Sequence, residues 1–108
     1  MTYIVSMEFI ESPRFSSLTG KYLDHDEYNA LQMALALWPE RGNVIPGGGG
    51  IRKLRWGGKG KGKRGGLRVI YYWKSTDGKI WLLEIYAKNE MENISLEKLI
   101  ALKKEIGP

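Results

Sequence analysis

The run WGGKGKGKRGGLR, from Trp56 to Arg68, restricts this chain more than any other stretch. Glycine loses the most conformational freedom on ordering, and neighbouring like charges repel. The run is therefore either a solvated loop or a surface that holds a polyanion. The charge distribution argues for the polyanion. Residues 1–50 carry three bases against six acids (−3), residues 51–75 nine bases and no acid (+9), and residues 76–108 five bases against six acids (−1). The net +5 thus comes from one quarter of the length. Such a block creates a local field that attracts phosphates and makes binding depend steeply on salt. Glycine also lets backbone N–H groups approach phosphate oxygens closely.

The segments flanking the basic loop, Lys59 to Gly66, read as strands. Ile51 to Trp56 alternates, with Ile51, Lys53 and Arg55 on one face and Arg52, Leu54 and Trp56 on the other. That is the pattern of a strand with one wet, basic side. Leu67 to Trp73 follows as a strand, Thr76-Asp77-Gly78-Lys79 as a hairpin turn, and Ile80 to Ala87 as the returning strand. Upstream, Tyr3 to Phe9 is β-rich and predicts a first strand, broken at Ser12-Pro13. Ser-Pro opens a short helix over about Pro13 to Tyr22. Asp24 and Glu27 form a capping box, each side chain satisfying a free N–H at a helix start. Tyr28, Leu31, Leu35 and Trp38 recur on one face of that helix, and Pro39 stops it. Val44-Ile45-Pro46 leads into a turn at Gly47 to Gly50. Asn93 to Ile106 predicts a closing helix with Ser95 as N-cap.

The order is β, one or two helices, three consecutive strands, helix. Hairpin-linked strands form antiparallel sheets, and helices grouped in sequence pack on one face. The expected class is α+β: a small antiparallel sheet with N-terminal helices on one face and a C-terminal helix, in one domain over residues 1–108. The 108 residues, 43% hydrophobic, suffice for one core. There is no cysteine, which excludes disulfides and thiolate metal sites, and one histidine, which excludes a two-histidine acid–base pair. No metal and no cofactor are expected. The start, MTYIVSMEFIESPRF, lacks the layout of a signal peptide, and no apolar run approaches the roughly 18 residues of a membrane span. A cytoplasmic chain with no membrane partner is the expectation.

Candidate site residues follow from charge and aromaticity. Lys59, Lys61, Lys63 and Arg64 in the loop are candidate RNA contacts, continued by Lys53 and Arg55 before it and Arg68 after it. Most of the sheet aromatics must be core. In Tyr71-Tyr72-Trp73 the middle ring faces opposite to its neighbours; Tyr72 and Tyr86 are the candidates to stack on a base beside the cations. His25, in the capping box, reads as a surface residue. Glu84, between Leu83 and Ile85, could pair with a cation across the sheet. Lys88-Asn89-Glu90 reads on spacing alone as a strand-to-helix turn.

IPGGGGIRKLRW, then GKGKRGGLRVIYYW, then WLLEIYAKNEMENIS strongly resemble the RelE-like toxins of bacterial type II toxin–antitoxin systems, and the HigB branch most closely. The likeness covers about Val44 to Leu99. It implies a microbial-RNase-type fold and a toxin that enters the ribosomal A site and cuts the messenger there. It also implies a cognate antitoxin of helix-turn-helix, HigA-like type, with operator DNA bound only through the complex. By position the resemblance carries catalytic roles onto Lys53, Arg55, Arg68 and Lys88. The tyrosine that some relatives place near the C-terminal helix has no counterpart here, where Ile94-Ser95 stands.

A metal-independent endoribonuclease suits this residue set. The RNA 2′-hydroxyl attacks the adjacent phosphate, giving a 2′,3′-cyclic phosphate and a free 5′-hydroxyl. Arg55, Arg64 and Arg68 could stabilise the charge of the transition state. A lysine crowded by other cations gives up its proton more readily and could accept the 2′ proton; Lys53 and Lys88 are the candidates. One other reading uses the same patch, a nucleic-acid-binding module without chemistry. A third is action like that of the gyrase-poisoning relatives on the same fold, which lack such dense cations on the sheet face.

Overall fold

The computed structural model describes residues 7–57, 66–91 and 93–106. In chain order these form β1 (Glu8–Glu11), α1 (Pro13–Tyr22), α2 (His25–Leu37), β2 (Asn43–Val44), β3 (Arg52–Trp56), β4 (Leu67–Lys74), β5 (Lys79–Ala87) and α3 (Leu96–Ile106). The described first strand runs Glu8–Glu11, two residues past the expected end at Phe9; residues 3–6 of that expectation lie outside the described residues.

Each helix starts where a side chain can take up its free amides. Ser12 Oγ accepts from the Phe15 amide at 3.0 Å and donates to the Leu83 carbonyl at 2.8 Å, so the cap of α1 also fastens the helix to β5. At α2 the capping box closes both ways: Asp24 accepts from the Glu27 amide (2.7 Å) and Glu27 from the Asp24 amide (2.9 Å). Ser95 Oγ caps α3 through the Lys98 amide at 3.1 Å. The expected apolar face of α2 fails at its last member. The helix ends at Leu37, and Trp38, as C-cap, leaves the helical path and stands 59% exposed.

The strand order is β1-β5-β4-β3-β2. β2–β3, β3–β4 and β4–β5 are antiparallel, but β1 pairs parallel with β5, so the sheet is mixed and not purely antiparallel as expected. The reason is connectivity. Hairpin turns force antiparallel pairing on neighbours, whereas β1 reaches β5 without a hairpin and is free of that rule. The two-residue β2 at the far edge has too little pattern to be legible in sequence.

The sheet separates two apolar clusters. On one face Phe15 of α1 and Leu31 and Leu35 of α2 pack with Leu54, Val69, Tyr71, Ile80, Leu82 and Ile85. On the other, Leu99 and Leu102 of α3 pack with Ile51, Ile70, Leu83 and Tyr86. The N-terminal helices thus share one face, as expected, and α3 covers the opposite one.

A β-bulge decides which side chains reach the α3 face. Ile70 pairs with Glu84 and Tyr71 with Leu82, leaving Leu83 as the extra residue. Strict alternation from Ile80 and Leu82 would aim Glu84 and Tyr86 toward α1 and α2. The bulge turns both to the α3 face, a re-aiming that bulges commonly provide.

Tyr71 fixes the approach to the β2 edge. Its fully buried hydroxyl donates to the Pro39 carbonyl (2.7 Å) and accepts from the Gly42 amide (2.8 Å). A Cβ on Gly42 would lie 2.8 Å from the Tyr71 ring, so only glycine fits there. Tyr71→Phe strands both backbone groups and is expected to cost about 1–2 kcal/mol. Urea denaturation should show a lower midpoint with an unchanged slope; an unaltered midpoint would show that water replaces the hydroxyl at no cost.

Candidate RNA-cleavage site

β3, β4 and β5 lie side by side, and their ends nearest the basic loop bring the predicted cations together. Arg55 and Arg68 are Cα partners across β3 and β4, and Tyr86 partners Arg68 across β4 and β5. Residues directly opposite share a face, so these three line one row on the α3 side. The next row is Lys53, Ile70 and Glu84. Arg55 is exposed, Lys53 half-buried and Arg68 only 6% exposed. Like charges directly opposite on neighbouring strands destabilise a sheet by a few tenths of a kcal/mol up to about 1. The pairing sets two guanidinium side chains next to each other on the α3 face.

Lys88 joins this end of the sheet through its backbone. Its amide donates to the Gly66 carbonyl at 2.9 Å, pinning the turn after β5 to the residue preceding β4. The turn is held from the other direction by α1. The Tyr22 hydroxyl and Lys21 Nζ donate to the Glu90 carboxylate at 2.6 and 3.1 Å. These bonds, Tyr22 first, lower the Glu90 pKa below the usual carboxylate value. Lys53 Nζ donates to Asn93 Oδ1 at 3.2 Å, so the segment leading into α3 borders the cation row. Sequence reasoning did not single out Asn93, Lys21 or Tyr22, and had no signal to do so: each contact spans about 40 or more positions in the chain.

The tyrosines do not sit as expected. Tyr86 is 3% exposed, which leaves no ring face for a base. Burial pushes its phenol up in pKa, with Arg68 nearby opposing. Its hydroxyl is buried without a hydrogen-bond partner among the described residues, the Ile94 backbone lying close but outside hydrogen-bond geometry. Tyr72 is four residues along β4 from Arg68, about 13 Å at the usual strand rise. Its ring is covered by Lys103, whose Nζ is 3.7 Å from the centroid. Stacking on Tyr86 would thus require its cover to move, and on Tyr72 the ring face under Lys103 is already taken. Tyr72 takes the α3 side by the alternation of β4, the bulge at Leu83 turns Tyr86 to the same side, and that side is the one α3 packs on. Lys59, Lys61, Lys63 and Arg64 lie outside the described residues.

Glu84 does find cations, though from helices and not from a neighbouring strand. Fully buried, its carboxylate accepts from Arg14 Nε of α1 (2.9 and 3.0 Å) and lies 2.8 Å from Lys98 Nζ of α3. His25 is exposed, as expected of a capping-box surface residue.

The sheet, its helices and the row of cations coincide with a match to the family described as the RelE toxin of the RelE/RelB toxin–antitoxin system, over residues 40–106. The chain belongs to the RelE toxin family. The matched span contains β2 to β5 and α3, and with them Lys53, Arg55, Arg68 and Lys88. This RelE chain is therefore the toxin of a toxin–antitoxin pair, and toxins of the family are generally endoribonucleases. No helix among the described residues is long and apolar enough to cross a membrane.

Proposed function

We propose that this RelE toxin is a ribosome-dependent mRNA endoribonuclease of the HigB branch, acting in the cytoplasm and neutralised by a helix-turn-helix antitoxin of HigA-like type. The toxin would bind operator DNA only through that antitoxin. The opposed pair Arg55 and Arg68 carries the reading, with Lys53 in the adjoining row and Lys88 at the strand end beside it. A scissile phosphate seated between the arginines would have donors on two sides. The 2′-oxygen attacks phosphorus and forms the new P–O bond as the P–O5′ bond breaks. The 2′ proton passes to a lysine amine, Lys53 or Lys88, and the departing 5′-oxygen takes up a proton to leave as a hydroxyl. The fixed guanidinium groups favour the pentacovalent state, where negative charge is greatest. The 2′-hydroxyl supplies the nucleophile, so the proposed reaction needs no metal. The ribosome would supply much of the substrate positioning, and the isolated protein should be a poor RNase.

Primer extension on messengers from cells expressing the toxin tests this reading. Discrete new 5′ ends within translated regions are expected, and they should disappear when translation initiation is blocked. Growth arrest without new 5′ ends would leave the chain a nucleic-acid binder without chemistry. Arrest accompanied by a DNA-damage response and intact messengers would indicate a gyrase-poisoning relative.

A further inference from the structure

α3 buries only part of its circumference. Leu99 and Leu102 face the sheet, while Leu96 and Ile100 remain 54% and 48% exposed. At about 100° per residue, Leu96, Ile100, Lys103 and Lys104 fall on one flank of the helix. Lys98 and Glu105 fall on the other, toward Glu84 and the Ser12-Pro13 corner. The first flank borders the turn at Gly47–Gly49. Ile100, Lys103 and Lys104 and that turn line a shallow groove of about 180 Å³. The turn is shaped to lie close. Gly47 and Gly49 have φ of 75° and 66°, and a Cβ on them would meet Leu96 Cδ1 and Lys103 Cε, each at 3.3 Å. The opposite wall of the groove is thus backbone in a conformation that only glycine adopts readily.

We propose that this groove is where the antitoxin docks, through an acidic, amphipathic segment. Apolar side chains of that segment would cover Leu96 and Ile100, and its carboxylates would meet Lys103 and Lys104. Charge complementarity selects the occupant: among the described residues the lining carries two ammonium groups and no carboxylate. A second copy of this chain, itself net +5, is disfavoured on the same ground. RNA is disfavoured because the floor is aliphatic and offers no free aromatic ring to a base; the nearest, Tyr72, is already under Lys103. None of the lining residues belongs to the row of Arg55 and Arg68, so an antitoxin held here leaves those arginines uncovered at its anchor point. The inference rests on the toxin reading, since it requires an antitoxin.

The test uses the full chain and the product of the reading frame adjacent to its gene. Ile100→Glu places a carboxylate where the apolar contact would form. Expressed alone, it should arrest growth and cut messengers as the wild-type chain does. Its affinity for the antitoxin should fall roughly 30-fold or more, the effect of losing an interface hot spot, and co-expressed antitoxin should no longer rescue growth. Lys104→Glu, at the exposed end of the groove, should weaken binding by several-fold, most clearly at low salt. Both positions are solvent-exposed, so neither change should impair folding, and unchanged urea midpoints should confirm it. An Ile100→Glu chain that remains toxic and is neutralised at the wild-type antitoxin dose overturns the inference and leaves the toxin reading intact. Loss of messenger cutting with antitoxin binding preserved also overturns it, by making the groove an RNA contact. A wild-type chain that neither arrests growth nor cuts messengers removes the toxin reading and this inference together.

Discussion

Arg68→Ala is expected to lower messenger cleavage on the order of 100-fold, the usual cost of removing one preorganised donor from a developing negative charge, and to relieve growth arrest. Arg68 is buried on the α3 face opposite Arg55, and its Nη1 donates to the Leu67 carbonyl at 3.1 Å, which fixes the guanidinium in place. A buried side chain also contributes to packing, so loss of toxicity alone would be ambiguous. Two comparisons separate the causes. Arg55→Ala, at an exposed position, should lose activity in the same direction with no change in urea midpoint. Arg68→Lys keeps the charge but not the planar fork, and should recover stability while recovering little of the rate. An Arg68→Ala protein that stays fully toxic at equal abundance would remove the arginine pair from the mechanism.

Glu84→Ala is expected to lower stability by about 2–3 kcal/mol. Breaking a buried ion pair by removing one partner typically costs about 3–5 kcal/mol. The lower figure follows because only one partner is truly buried. Glu84 is fully enclosed, but the side chains of Arg14 and Lys98 are 51% and 32% exposed and can turn to water once the carboxylate is gone. The contact ties both α1 and α3 to β5, so its loss should loosen α3 first. Hydrogen exchange should show faster amides in α3 than in β4 and β5, together with a lower urea midpoint. Glu84→Gln, which preserves the volume and one acceptor oxygen, should fall between the wild type and Ala. Equal midpoints for wild type and Glu84→Ala would mean that the desolvation of the carboxylate already cancels what the two cations return.

Much of the fold was legible because it is written locally. The caps at Asp24 and Ser95 each depend on a residue three positions away and form as expected. The Ser-Pro opening of α1 starts that helix at the expected place, with Ser12 found to cap it as well. The alternation of Ile51 to Trp56 put Lys53 and Arg55 on one face, and β3 keeps them there, with Arg55 opposite Arg68 and Lys53 opposite Ile70. The parallel pairing of β1 was not legible, since a strand that meets its neighbour without a hairpin carries no mark of its direction. Nor was the concealment of Tyr72 and Tyr86. Alternation gives the side that Tyr72 takes, the bulge at Leu83 overrides it for Tyr86, and neither says what will later cover that side.

The order of these residues is enough to dictate the three long strands β3, β4 and β5, the capping box and the crowding of positive charge into residues 51–75, because each follows from neighbours in the chain. Only folding decides that Leu83 bulges, that Glu84 and Tyr86 consequently turn to the side of α3, and that Asn93 closes against Lys53. Those outcomes come from registering β5 against β4 and packing a helix across both. That register is a balance of contacts far apart in sequence, and no local run of residues encodes it.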